Sequence, residues 1–372
     1  MRGVITATSP PSGFTHLQRL LLEAHAKAMT GFTVDMDRAL MRPLGPIEMA
    51  DALANRSEGF RERMVQLMML GELILVPLPD EVAERVERYA AEMGISEELL
   101  RATRRLSHGS LGLAALDFDR AGYTSEWDPA HSVSLHTKAA LDSAWDASCN
   151  DPELAARWAA LGDLPEGTLG HGVFAFYQAR GFVFPGLPGS APPLLAQHDW
   201  CHVLVDYGST VESELEVFGF ISRANDDPRA FSLLAMVINL FETGYRAHDA
   251  GLFDADRGHL SHGGRTMAVR LADAMRRGAV CSDDERDDDS VDYLALDWFA
   301  IADQSIAAMR KRFNIVPKSA EVDEVGSPGP WQPGGISAFQ FACGQQRAEV
   351  EGRPYDSHGA CVDSLPPVPA VS

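Results

Sequence analysis

The sequence predicts a mainly α protein: a multi-helix globular body with a metal site between two antiparallel helices, preceded by an extra N-terminal helical domain. Three observations carry that expectation. Apolar residues recur at helical spacing over long stretches, and few segments alternate as strands do. Helix signals bracket those stretches. In LGELILVPLPDEVAERVERYAAEMGISEELLRATRRL, Pro79 and Asp80 open a helix, Gly94 closes it, and Ser96 with Glu97 and Glu98 opens the next. The third observation is HDWCHVLVDYGSTVESE (198–214), which puts two histidines on a helix face that should be apolar.

Length and composition set the outer bounds. The 372 residues are 45% hydrophobic and 23% charged, enough for a core in one large or two smaller domains. A formal net charge of -21 repels phosphate backbones, so no nucleic-acid partner is expected. Cys149, Cys201, Cys281, Cys343 and Cys361 are far apart and form no CxxC pair, which fits a reduced compartment. The opening MRGVITATSPPSGF has no apolar core of a signal peptide. MVQLMMLGELILVPLP, the nearest approach to a membrane span, is interrupted by Gln66, Glu72 and two prolines. The expected location is cytoplasmic, membrane-peripheral at most.

In chain order, residues 1–13 read as a flexible lead and 14–121 as a helical N-terminal domain, with Val82, Val86 and Tyr89 at helical spacing. The pattern of this half resembles TerB-like helical domains. Residues 122–137 read as a linker, 138–318 as a second helical body, and 319–372 as a Gly/Pro-rich tail without a core of its own. FSLLAMVINLFETGY (231–245) is apolar nearly all round and reads as a buried central helix. The acidic run CSDDERDDDSVD (281–292) reads as a solvated loop, because no glycine sits where a calcium-binding turn needs one. His259 and His262 fall in a Gly-rich, exposed stretch, and the pair His248–Asp249 reads as surface. His171, between Gly170 and Gly172, is either a proton shuttle or a turn residue.

The candidate site follows from helical phase. Pro192 and Pro193 suit a helix start, and the stripe Leu195, His198, His202, Val205 continues from it. At about 100° per residue, His198, Asp199 and His202 share an arc of about 100°. Glu214 lies sixteen residues beyond His198, which on one straight helix is about 24 Å away. The chain must therefore turn, with Gly208 as the break, Ser209 as the next N-cap and Glu212 at the capping-box position. Glu214 then shares a stripe with Val211, Leu215 and Phe218, while Glu212 and Glu216 lie roughly opposite, with Glu216 pointing to water.

A carboxylate on a buried face needs a partner or a cation. The expected cofactor is one divalent metal ion held by His198, His202 and Glu214, with Asp199 as fourth ligand or as a residue orienting the ligands. Nitrogen and oxygen donors suit Zn first, with Fe, Mn or Mg as alternatives. Two core histidines hydrogen-bonded to Asp206 or Glu214 would satisfy the same pattern without an ion. HDxxH differs from the zincin HExxH by one methylene at Asp199, which argues against a protease. An HD-type phosphohydrolase would need further ligands, for which His171 and Asp249 offer no distinctive context.

The motif HDxxH-x11-E (His198, Asp199, His202, Glu214) resembles the signature of the Coq-four family of coenzyme Q (ubiquinone) biosynthesis. WAALGDLPEGTLGHGVFAFYQARGF (158–182) is similar to a second segment of that family, and LDWFAIADQSIAAMRKRFNI (296–315) to its closing Trp-containing helix. The resemblance covers about 138–318. It implies a helical fold with a metal at those four residues and an apolar groove for a prenylated aromatic precursor. It further implies oxidative decarboxylation or hydroxylation of that precursor, and work within a biosynthetic complex or homo-oligomer. In that setting Asp199 and His171 are the candidate catalytic residues. Two alternatives remain open: a non-catalytic scaffold for a lipid or quinone precursor with a structural metal, and a secondary-metabolism enzyme reusing the fold.

Overall fold

Helix α1 (Arg2–Thr8) buries Gly3, Val4, Ile5, Ala7 and Thr8, and only Arg2 and Thr6, one turn apart, face outward. Residues 1–13 are thus not a flexible lead. A helix of two turns is too short for a 3.6-residue period to stand out in the sequence. The computed structural model describes residues 1–75, 79–95, 150–191, 193–224, 228–238, 258–286 and 290–360. Among these residues it contains fifteen α-helices and no strand. The expected helix from Ser96, the expected linker at 122–137, and the His248–Asp249 pair lie outside the described residues.

Local signals explain the helix ends. Helix α2 (His16–Thr30) starts at Thr15, whose side chain and that of Gln18 form a reciprocal capping box, and stops at Gly31 with φ 74°. Two short helices follow, α3 (Met36–Leu40) and α4 (Pro46–Leu53), then α5 (Glu58–Leu73). Helix α6 (Asp80–Glu92) starts after Pro79 and is followed by Gly94 at φ +71°. Its buried positions Val82, Val86 and Tyr89 are those of the apolar stripe. Removing a side chain such as Val86 from water contributes roughly 1.5–3 kcal/mol.

After α7 (Pro152–Ala159) and α8 (Leu169–Arg180) come the two helices of the motif, α9 (Pro193–Val205) and α10 (Val211–Ala224). Helix α10 is the hub. Val211, Leu215 and Phe218 enter a first core shared with α1, α2, α5, α6, α11 (Pro228–Ile238) and α12 (His259–Gly278). Val217, Phe220, Ile221 and Ala224 enter a second core with α8, α9 and residues 291–313. The N-terminal helices therefore share a core with the body that carries the motif. Within 231–245, Phe231, Leu234, Val237 and Ile238 are buried on α11; residues 239–245 are outside the described residues.

Three short helices close the chain: α13 (Ile306–Arg312), α14 (Ala320–Val325) and α15 (Ala338–Val350). Helix α15 packs on α8 and α14 on α12. In the acidic run, Asp283 is not solvated. It is buried and accepts two hydrogen bonds from Arg312 at 3.0 Å, which hold its carboxyl below the usual range. Position relative to Arg312, not local charge density, decides its fate.

Candidate metal centre

Helices α9 and α10 are joined by a turn in which Asp206 takes the left-handed conformation at φ 68°. The break thus falls two residues before Gly208. Gly208 has another job, close approach: a Cβ there would lie 2.7 Å from Gly335 Cα. The N-cap also differs from expectation. Thr210 Oγ1 accepts from the Ser213 amide at 3.4 Å, while Ser209 Oγ donates to Gln340 Oε1 at 2.7 Å. A partner 131 residues away in sequence outcompetes the local cap.

This turn brings His198, His202 and Glu214 together, all buried, with one donor atom of each within 4.8 Å of the others. His198 Nε2 lies 3.3 Å from Glu214 Oε2, and His202 Nε2 lies 3.3 Å from Glu214 Oε1. His202 Nε2 and Glu214 Oε2 make no hydrogen bond. An ion about 2.1 Å from each of two tetrahedrally arranged donors holds those donors about 3.4 Å apart, longer than the usual N–H···O bond of about 2.9 Å. Each Nε2 faces a different oxygen of Glu214, so the 3.3 Å spacing suits a shared cation and also long contacts between the groups themselves. Burial alone would raise the Glu214 pKa, but facing His202 and His198 outweighs it and holds the carboxyl well below the ordinary range.

The imidazoles are fixed from behind. His202 Nδ1 donates to the Gly208 carbonyl at 2.6 Å. A carbonyl only accepts, so Nδ1 carries a proton and Nε2 is the ring atom turned to the centre. Phe176 stacks on His202 with ring centroids 5.2 Å apart, and Phe218 on His198 at 4.9 Å. Cys201, on the same helix, is buried in the second core, and burial pushes its thiol pKa up.

Asp199 falls outside the three-residue group. Its Oδ1 is 3.7 Å from His198 Nε2, and its Oδ2 accepts from the Tyr177 hydroxyl at 2.5 Å. His171 sits in the first turn of α8, half-buried, its amide on the Thr168 cap and its ring 6.4 Å from that of Phe174. It is not a member of the His–His–Glu group.

Two expectations for neighbouring residues need correction. Glu216 does not point to water. It is fully buried, receives Arg270 at 2.7 Å on one oxygen and Ser327 Oγ at 2.7 Å on the other. Helical phase alone gives every helix a solvent face, and α10 has almost none. Glu212 does not close a capping box with Ser209; it pairs with His259 Nδ1 at 3.2 Å. His259 and His262 lie in the first turn of α12, not in a loop, and His259 is half-buried while His262 is exposed.

Residues 327–340 form a strap over the α9–α10 turn that sequence reasoning did not find. Gly208 N–H donates to the Pro328 carbonyl at 2.8 Å and Ser209 N–H to the Gly335 carbonyl at 2.9 Å. Gln340 Nε2 reaches the Ser209 carbonyl at 2.9 Å. Fully buried Arg180 bridges both sides, donating to Ser209 Oγ and to the Pro330 and Gly335 carbonyls at 3.0 and 2.9 Å. The one signal for it was PGPWQPGG, a run too rich in Gly and Pro to be helical.

Fold and site together define an all-helical protein with a buried His–His–Glu group that could hold a metal ion. No family model matches the chain, and no curated protein or solved structure is significantly similar to it. Among the described residues no helix is long and apolar enough to cross a membrane.

Proposed function

We propose that this chain is a metal-dependent enzyme of the Coq-four type, acting on a hydroxybenzoate-like or quinone-like aromatic acid, prenylated substrates included, by oxidative decarboxylation or hydroxylation. The observation that carries the metal is the buried trio His198, His202 and Glu214, one ligand atom of each lying within 4.8 Å of the others. The motif's resemblance to the family supports the substrate class. His198, His202 and Glu214 would hold one divalent ion, zinc first by donor type. Such an ion supplies a Lewis acid that orients a carboxylate or phenolate oxygen and stabilises developing negative charge. The chain's own contribution is to fix the donors, through Gly208 on His202 and the two stacked phenylalanines, and to exclude water.

One observation favours a second reading, a scaffold with a structural metal: the three ligands are no more than 4% exposed. Two measurements separate the readings. Elemental analysis of purified and of metal-reloaded protein should find about one divalent ion per chain; only trace metal in both would end either reading. Carbon dioxide release from a carboxyl-labelled prenylated hydroxybenzoate, supplied with dioxygen, is expected for the enzyme. Stoichiometric metal and substrate binding without turnover would leave the scaffold.

A further inference from the structure

Asp199 stands beside the candidate ion site, yet it is turned toward Tyr177. We propose that Tyr177 is a positioning residue: its hydroxyl holds Asp199 back from an ion on His198, His202 and Glu214, and so keeps one coordination position open for an exogenous oxygen ligand. The inference rests on the metal reading above.

The distances carry it. His198 Nε2 and His202 Nε2 each lie 3.3 Å from an oxygen of Glu214 and the three residues form one mutual group, whereas Asp199 Oδ1 is 3.7 Å from His198 Nε2 and stays outside it. The Tyr177 bond to Oδ2 is short, 2.5 Å, and both residues are buried. Tyr177 cannot follow if Asp199 moves. Its ring is packed by Trp158 at 5.0 Å, Phe184 at 5.5 Å and Phe182 at 5.6 Å between centroids. Asp199 can advance on the ion only by giving up that donor. A buried carboxylate that loses a hydrogen-bond donor gains most from the nearest cation. Without the hydroxyl, Asp199 becomes the fourth ligand. Three protein ligands with an open position are the arrangement of catalytic sites, four that of closed structural ones. Tyr177 thus decides which kind of site the same four-residue motif makes.

The test loads the full chain with Co(II) and titrates azide, following the visible spectrum. Wild type is expected to bind Co(II) and to change its spectrum with azide. Tyr177→Phe is expected to bind Co(II) more tightly and to lose azide affinity at least tenfold, a size in keeping with altered surroundings of a metal ligand. The double variant Tyr177→Phe, Asp199→Asn is expected to regain the azide response, because an amide is a poor replacement for the incoming carboxylate. An unchanged azide response in Tyr177→Phe overturns the proposal, and so does a wild type that binds Co(II) but ignores azide. Failure of wild type to bind Co(II) at all overturns the metal reading as well. Should Tyr177→Phe not fold, Asp199→Asn alone decides: metal affinity within about threefold of wild type supports an Asp199 held off the ion, and a loss of about tenfold or more shows that Asp199 was already a ligand.

Discussion

Changing Glu216 to Gln tests how the three neighbouring glutamates divide their work. Gln keeps the size and one acceptor oxygen but removes the charge. Glu216 is fully buried, and its partner Arg270 is only 4% exposed, so the pair is screened by almost no water. Burial disfavours the Arg270 charge and Glu216 more than offsets that; without Glu216 the guanidinium still stays charged at pH 7, because its ordinary pKa lies so far above neutrality. Breaking a buried pair on one side leaves an uncompensated charge and costs about 3–5 kcal/mol. Because Gln can still accept from Ser327, the lower end, about 3 kcal/mol, is expected. Urea unfolding at pH 7 should show this as a lowered midpoint at unchanged slope. Metal stoichiometry should not change. Glu214→Gln should do the opposite, lowering metal affinity by about tenfold or more. Replacing both partners, Glu216→Gln with Arg270→Met, should recover much of the loss, since no charge is then stranded. A cost under about 1 kcal/mol for Glu216→Gln, or an equal cost for the double variant, would refute the reasoning.

Three further outcomes are expected. His25 is fully enclosed between the Leu21 carbonyl at 2.6 Å and Met275 Sδ at 2.9 Å, and burial lowers its pKa to about 4. A lowered histidine pKa means the unfolded chain binds the extra proton. Stability should be intact above pH ~6.5 and fall by roughly 3 kcal/mol as pH drops to about 4, and His25→Phe should flatten that slope in urea titrations. Gly208→Ala should destabilise by about 1–3 kcal/mol and weaken metal binding, because its methyl meets Gly335 and displaces the acceptor of His202; equal metal affinity would separate the turn from the site. Arg180→Met should cost about 2–4 kcal/mol and speed amide exchange in 327–340 above all, while uniform exchange changes would show that the strap is not what Arg180 holds.

Sequence by itself determined the helical character, the ends of α6, and the choice of His198, His202 and Glu214 as one group. These rest on short-range rules: caps act within a few residues, and 3.6-residue phase puts His198 and His202 on one face. The phase argument failed two residues further on. Glu216 seemed destined for water because a helix in isolation has an outside, and only the packing of α10 against α9, α11 and α12 removes it. Helix α1 was illegible because two turns are too short to show a period. Tertiary structure alone also decided that Asp199 turns to Tyr177, 22 residues away, and that residues 327–340 strap the turn from about 120 to 131 residues downstream. Such contacts depend on which elements become neighbours in space. No local pattern of a sequence encodes that directly, because the hydrogen-bonding capacity of a Tyr, Asp or backbone carbonyl is the same wherever its partner comes from.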